Sequence, residues 1–394
     1  MRSLSTSRFV LLSIGIIVLA IGVTVIVIIA TNDPGYLSPS AGNIPMDTEE
    51  TADSGESSSQ ETPNEGTTVS AFKNVIELGS GSLPLRSQRA ITNWNEEPLV
   101  VLTDGTDIIV VESNGQRHRV TTLQPSTGGP TIAASEDRVV VAWVTSTAIM
   151  ASSSTDLITW TTPATVGARE QDGGPIPSMD WTGDGFAVVW VDAPKTNAQT
   201  GAMDGVGALQ IAVGNGVDGW ELSTLNTTTA IVAISGSTLV WRDDRSVEGS
   251  SGFDSIRTAN LDGSNETVIS SGYDPAISVD GNAIAIGYHL GAEAHLRTTT
   301  DGKTWKDTVL DSTGKFVSPF VSNGVFGAVW VDYVDAAAAK DARNNAGHRT
   351  TALWNGVEYK MNDGETKTIQ GQGEIVAGVP VVVYSVDGIV YLAY

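Results

Sequence analysis

Cysteine is absent from this 394-residue chain. That excludes a disulfide framework, a thiolate nucleophile and a zinc–thiolate site. Small secreted folds rely on such staples, but a large β-domain with a sizeable core does not, so an extracellular location stays open. Basic residues are scarce too: 22 Lys and Arg stand against 45 Asp and Glu, a formal net charge of −23. Such a chain repels nucleic acid and anionic lipid surfaces, and no nucleic-acid partner is expected. The four histidines, His118, His289, His295 and His348, are scattered, with none at zinc-ligand spacing. A phosphate-binding P-loop, a G-x-S-x-G elbow and a dinucleotide fingerprint are all missing. Beyond residue 72 no stretch sustains a 3.6-residue apolar period, which argues against a helical domain.

What is present begins with an apolar run. Residues 9–30 carry no charge, and at about 1.5 Å per residue they span roughly 33 Å, enough for a bilayer core. Arg2 and Arg8 precede the run and the next basic residue is Lys73, so the positive-inside rule places residues 1–8 in the cytoplasm and everything after Thr31 outside. A cleaved signal peptide is the alternative, although its apolar region is normally shorter and Ile28-Ile29-Ala30 is a poor small-x-small site. Residues 31–72 hold eight acids and no base among Ser, Thr, Gly and Pro. They have too little apolar area to offset ordering entropy and read as a disordered linker, holding the rest on the order of 35 Å from the membrane. The expectation is a single-pass cell-membrane protein whose C-terminal domain, residues 73–394, is extracellular.

That domain reads as a repeat. An apolar strand ending in a large residue, usually followed two positions later by Asp, recurs as PLVVLTD (98–104), RVVVAWVT (138–145), GFAVVWVD (185–192), STLVWRD (237–243), NAIAIGYHL (282–290), VFGAVWVD (325–332) and PVVVYSV (380–386). Its markers are Leu102, Trp143, Trp190, Trp241, Tyr288, Trp330 and Tyr384, spaced 41 to 54 residues apart. That period is the signature of four-stranded propeller blades. A shorter strand, often introduced by Pro (130, 175, 275, 319), precedes each marker strand. A third strand follows, then an Asx-Gly turn at 114–115, 215–216, 262–263, 301–302 or 355–356, of the type I′ sort, then a fourth strand. Seven blades are expected, with six or eight as the neighbouring counts. The chain ends in the third strand of the last blade, and the spare strand Lys73–Leu78 is expected to supply its fourth, closing the ring and removing its open edge. The marker aromatics are expected to pack between blades.

Two turns carry more. Ser154-Thr155-Asp156-Leu157-Ile158-Thr159-Trp160 and Thr299-Thr300-Asp301-Gly302-Lys303-Thr304-Trp305 resemble Asp-boxes, the S-x-D-x-G-x-x-W turns of sialidase-like (BNR-repeat) propellers. Both are one residue short, and Ile158 stands where Gly is usual. The resemblance implies that Ser154, Asp156 and Trp160, and Thr299, Asp301 and Trp305, are folding elements rather than catalytic ones. Trp241-Arg242-Asp243-Asp244-Arg245 is similar to the W-x-D-x-R repeats of surface propellers, with Trp190-Val191-Asp192 and Trp330-Val331-Asp332 as partial matches.

Antiparallel connectivity, with the strands of a blade lettered A to D outward, puts the A–B and C–D turns on one face and the B–C and D–A loops on the other. The long connections, 192–209, 243–254 and 332–349, all fall on the second face, where binding residues concentrate. The candidate ligand-binding residues there are Asp192, Asp243, Asp244, Arg245, Asp332 and His289. The recurring Asp has a structural reading as well, as a cap on the B–C turn. A sialidase needs three arginines, a Tyr–Glu pair and an acidic Asp. Arg89-Ala90-Ile91 is only an echo of the family's R-I-P motif, and Arg242, Arg245 and Arg257 cluster in one blade. The catalytic candidates are therefore limited to Asp243, Asp332, Tyr333, Arg245 and Arg89. The leading expectation is a binding or scaffold module for an extracellular glycan, protein or cation. The alternative is a sialidase-fold glycosidase with two carboxylates. No cofactor is expected, and calcium is the ion such a carboxylate ring would suit.

Overall fold

The computed structural model describes residues 72–84, 88–122, 129–168, 176–192, 207–243, 255–333, 347–362 and 368–394. The apolar run at 9–30, the acidic linker, Asp244, Arg245 and most of the three long B–C connections lie outside the described residues.

The described chain is all β and forms seven blades. Blade 1 runs Ile91–Trp94, Glu97–Asp104, Asp107–Glu112 and Arg117–Thr122 as strands A to D. Blade 2 runs Thr131–Ala134, Val139–Val144, Ala148–Ser154 and Ala164–Ala168. Blade 3 starts with Ser178–Trp181, Phe186–Val191 and Gly207–Gly214, and blade 4 ends with Thr238–Asp243, Ser255–Asn260 and Thr267–Ser271. Between them one strand, Glu221–Ser235, is both the outer strand of blade 3 and the inner strand of blade 4, so the two blades share a seven-stranded sheet. The crossing point, residues 226–230, is Asn-Thr-Thr-Thr-Ala. It contains no Gly or Pro to break an extended run rich in β-branched residues. Blade 5 is Tyr273–Asp280, Ala283–Leu290, Glu293–Thr299 and Lys306–Asp311, and blade 6 is Lys315–Ser322, Val325–Tyr333, His348–Trp354 and Val357–Lys360.

Blade 7 has Thr368–Val376, Val379–Val386 and Ile389–Ala393 from the C-terminus, and Val75–Ser80 from the start of the domain. The last two pair antiparallel from Val75 opposite Ala393 to Ser80 opposite Ile389, with a bulge at Glu77–Gly79. The spare first strand thus closes the ring, as expected. Arg117 of blade 1 clasps it: Nη1 donates to Leu78 O at 2.9 Å and Nη2 to Ser80 O at 3.0 Å, while Asp104 pairs with Nη2 at 2.9 Å.

Among the described residues the apolar core falls into seven clusters, one per blade junction, and each holds one marker residue. Leu102 sits between blades 7 and 1, Trp143 between 1 and 2, Trp190 between 2 and 3, Trp241 between 3 and 4, Tyr288 between 4 and 5, Trp330 between 5 and 6, and Tyr384 between 6 and 7. The 40- to 50-residue repeat is therefore the repeat of the inter-blade contact. Close approach at these junctions needs glycine: a Cβ on Gly373 of blade 7 would lie 2.3 Å from the Phe320 ring of blade 6.

The inner strands fan apart and cannot form a ladder with one another, so side chains satisfy their backbone. Ile234 N donates to Ser178 Oγ (3.3 Å), Val279 N to Ser235 Oγ (3.0 Å), Asn323 N to Asp280 Oδ2 (2.6 Å) and Ala90 N to Gln372 Oε1 (2.6 Å). Each bond joins one blade to the next, which explains polar residues in otherwise apolar inner strands. Of the five Asx-Gly turns, Asn355-Gly356 has positive φ at both residues, as type I′ requires. The other four have it at Gly alone among the two, within longer C–D connections.

Candidate functional site

The recurring Asp after the marker aromatic does not cap the B–C turn in one uniform way. In blade 3 the Trp190 indole N–H donates to Asp192 Oδ1 at 3.1 Å. In blade 4 Asp243, whose side chain is wholly buried, pairs with Arg257 Nε at 2.6 Å, and Arg257 also reaches Glu266 Oε1 at 2.7 Å. In blade 6 Asp332, only 4% exposed, accepts Arg349 Nε at 3.2 Å on both oxygens and Nη2 at 2.5 Å. Arg257 and Arg349 lie on strand C, Arg349 directly opposite Asp332 and Arg257 opposite Trp241. These arginines therefore stitch strand B to strand C. Where an arginine takes the carboxylate, the indole loses it: among the described residues Trp241 Nε1 and Trp330 Nε1, both buried, have no hydrogen-bond partner. The arginines were the missing half of the sequence pattern, visible as lone cations in SIRTAN and HRTTALW.

The same face carries two aromatic clusters on neighbouring blades. Tyr273 stacks on His289 with ring centroids 5.5 Å apart, the Arg242 guanidinium lies 5.4 Å from the Tyr273 centroid, and Asp274 Oδ2 stands 3.7 Å from His289 Nδ1. In blade 6 Tyr333 meets His348 edge-on at 4.5 Å, and Lys315 Nζ lies 5.8 Å from the Tyr333 ring. Their backbone shares a device: a bulge at the start of strand A with a residue in the left-handed region, Asp274 (φ 50) or Phe316 (φ 60). His289 and Tyr333 were expected on this face, and Arg242 was named within the W-x-D-x-R resemblance but not as a site residue; Tyr273 and Lys315 were not singled out, because each starts a strand with no motif around it.

The opposite face is made of short turns. Ser154 Oγ–H donates to Asp156 Oδ1 at 3.0 Å, and that oxygen accepts Ile158 N at 2.9 Å and Thr159 N at 2.7 Å. Trp160 Nε1 donates to Leu157 O at 2.9 Å. In the second turn Thr299 Oγ1, Lys303 N and Thr304 N converge on Asp301 Oδ1 at 2.7–2.9 Å, and Thr304 Oγ1 adds a bond to Oδ2. Backbone N–H donors, led by Thr159 and Thr304, hold both carboxyls below the ordinary aspartate range. The residue filling glycine's place is Leu157 (φ 62), matching Gly302 (φ 69), and not Ile158, which is 76% exposed. Trp305 packs against the cluster between blades 4 and 5 and under the Arg297 guanidinium.

Arg89 stands elsewhere, in the central channel. Its Nη1 pairs with Asp180 Oδ1 at 3.0 Å and approaches Glu374 Oε2 at 3.5 Å. It thereby links blade 1 to blades 3 and 7, while Asp243 and Asp332 are held by other arginines. Burial opposes the Arg89 charge, but the two carboxylates outweigh it and raise its pKa. Burial raises that of Glu374. The channel holds a cavity of about 40 Å³, lined by polar side chains such as Gln88, Ser178, Ser278, Ser318 and Gln372 as well as Arg89 and Glu374. Among the described residues no group of three or more His, Cys, Asp or Glu side chains is placed to hold a metal ion.

No protein-family description matches the chain, and no characterised protein matches it by sequence. Solved structures do. A chain of the mitotic checkpoint complex superposes with a TM-score of 0.53 at 8% identity, covering 88% of this chain and 99% of that one. A catalytically inactive virginiamycin B lyase from Staphylococcus aureus, with quinupristin, gives 0.51 at 10% identity, over 81% and 98%. The sialidase of Trypanosoma rangeli gives 0.44 at 13% identity, and this chain spans 60% of its length. At these identities the likeness is one of fold: the chain is an all-β, seven-bladed β-propeller.

Proposed function

We propose that this protein is a membrane-tethered surface propeller that binds an extracellular glycan or protein through its B–C and D–A face. The observation that carries the reading is the pair of aromatic clusters on adjacent blades, Arg242–Tyr273–His289 and Lys315–Tyr333–His348, on the face that also bears the three long connections. Aromatic faces take sugar C–H groups or apolar side chains, and flanking cations fix polar or acidic substituents. Asp192, Asp244 and Arg245 are assigned to the rim of this surface, and His289 to its centre. Asp243 and Asp332 support it from below by locking strands B and C.

The two Ser/Thr–Asp turns on the other face are read as shortened Asp-boxes with a folding role. The apolar run at 9–30 is assigned as the membrane anchor and residues 31–72 as an extracellular spacer. A glycosidase reading is less well supported, because its carboxylate candidates are already engaged by arginine. The test is capture of glycans or cell-surface proteins by the full chain and by variants lacking residues 196–207 and 334–346. Loss of capture with unchanged thermal unfolding is expected. Capture that survives both deletions overturns the assignment.

A further inference from the structure

Two Asn-x-Ser/Thr sequences, the acceptor pattern for N-linked glycans, occur in the chain: Asn226-Thr227-Thr228 and Asn265-Glu266-Thr267. The fold treats them differently. The first lies within the shared strand Glu221–Ser235, at the crossing between blades 3 and 4. Ladder pairs at Leu225 and Thr229 flank it, and Thr227 at its middle is buried. An acceptor has to enter a transferase's site, and a segment held inside a sheet enters one only if the sheet opens.

The second sits on the C–D connection of blade 4. Thr267, opposite Thr258, is the last rung of that C–D ladder, so Asn265 lies two residues beyond it. The turn before it closes on its own bonds. Asn260 N donates to Ser264 O and Gly263 N to Asn260 O, both at 2.9 Å. Asn260 Nδ2 donates to Ser264 Oγ at 2.9 Å, and Ser264 N to Asp262 Oδ1 at 2.9 Å. Asn265 is therefore not needed to shape the turn, and among the described residues its side-chain amide makes no hydrogen bond. It stands in the left-handed region (φ 58), which Asn tolerates better than most residues, and residues 264–268 are all exposed. Thr267 Oγ1 donates to Asn265 O at 3.2 Å, which keeps the hydroxyl beside the asparagine. Glu266 between them is drawn off to Arg257 Nη1 at 2.7 Å.

Given the extracellular placement proposed above, on which this rests, we infer that Asn265 carries an N-linked glycan and Asn226 does not. The co-substrate is a sugar chain joined through its anomeric carbon to a polyprenyl phosphate. Asn265 Nδ2 forms the new C–N bond to that carbon as the C–O bond to phosphate breaks. The phosphate leaves with the electron pair, and the amide gives up one proton. The Thr267 hydroxyl is the group by which the acceptor is recognised. C–D turns belong to the face opposite the aromatic clusters, so a bulky, hydrated chain at Asn265 leaves the binding surface uncovered.

The test is mass spectrometry of the full chain isolated from the membranes of the cells that make it. The tryptic peptide 258–297 is expected to carry a sugar adduct on Asn265, and the peptide 196–242 none. Asn265→Gln and Thr267→Ala are each expected to lose the adduct and to migrate faster on a denaturing gel, while melting with the wild type because both positions are exposed. Thr267→Ser is expected to keep it. A second measurement reads the extracellular placement alone: a Glu-specific protease applied to intact cells is expected to cut residues 31–72 and release the propeller. A bare Asn265 on a released propeller overturns the glycan and leaves the extracellular placement standing. A bare Asn265 on a propeller that stays with the cells overturns both. An adduct on Asn226, or one on Asn265 that survives Thr267→Ala, also overturns the inference.

Discussion

Removing Arg257 separates a structural role for Asp243 from a ligand-binding one. In Arg257→Met the Asp243 carboxylate, wholly buried, loses the guanidinium 2.6 Å away. Breaking a buried pair by removing one partner costs about 3–5 kcal/mol, because the buried charge that remains loses the cation offsetting its desolvation. At about 2.1 cal/mol/K of unfolding entropy per residue, a propeller of roughly 320 residues gains about 0.7 kcal/mol/K, so Tm should fall by about 4–8 °C. Replacing both partners with apolar residues, Asp243→Leu with Arg257→Met, should recover much of the loss, since an apolar pair carries no desolvation cost. Calorimetry or circular dichroism on the full chain reads both. A ligand-binding carboxylate behaves otherwise: its partner can be removed at little cost, and Asp243→Asn would hold or raise Tm while abolishing capture. An Arg257→Met variant that melts with the wild type refutes the stitching role, and with it the assignment of Asp243 to support rather than contact.

Three further expectations follow from particular contacts. Trp190→Phe should cost about 1 kcal/mol more than Trp330→Phe, because Trp190 loses its bond to Asp192 whereas the Trp330 N–H has no partner among the described residues; urea unfolding of the two variants compares them. Arg117→Met should release the closing strand, seen as faster hydrogen exchange over residues 75–80 than in the rest of blade 7. On pH, Asp301 has its folded pKa depressed, so its contribution is present above the unfolded value of about 3.9 and is lost as pH falls through the folded one. Glu374 runs the other way: its folded pKa is raised, so ionisation above about 4.3 costs stability. Thermal scans between pH 3 and 7 should therefore show Asp301→Asn flattening the acid limb. Glu374→Gln should melt above wild type near neutrality, the gap closing near pH 4.

The ring was legible because its signal is periodic. One large residue per blade fills one junction, and the free strand at 73–78 had an unpaired edge to meet in blade 7. The fusion of blades 3 and 4 was less visible, since the sign was an absence of Gly and Pro at 226–230 rather than a motif. The site was harder. Asp243 and Asp332 stood out by recurrence, but recurrence marked the B–C stitch, and their partners lie 14 to 17 residues away in loop-separated strands. The channel trio was out of reach: Arg89, Asp180 and Glu374 are far apart in sequence and meet because three inner strands line one axis.

The central functional claim is that one face binds and the other only folds. Its most direct test compares capture by two double variants of the full chain, each confirmed to melt with the wild type. Tyr273→Ala with Tyr333→Ala strips both aromatic clusters from the B–C and D–A face, and Asp184→Ser with Lys303→Ser alters exposed turns on the opposite one. The account predicts that the first loses capture of the glycan or protein partner and the second keeps it. The reverse pattern, or equal capture by both, contradicts it.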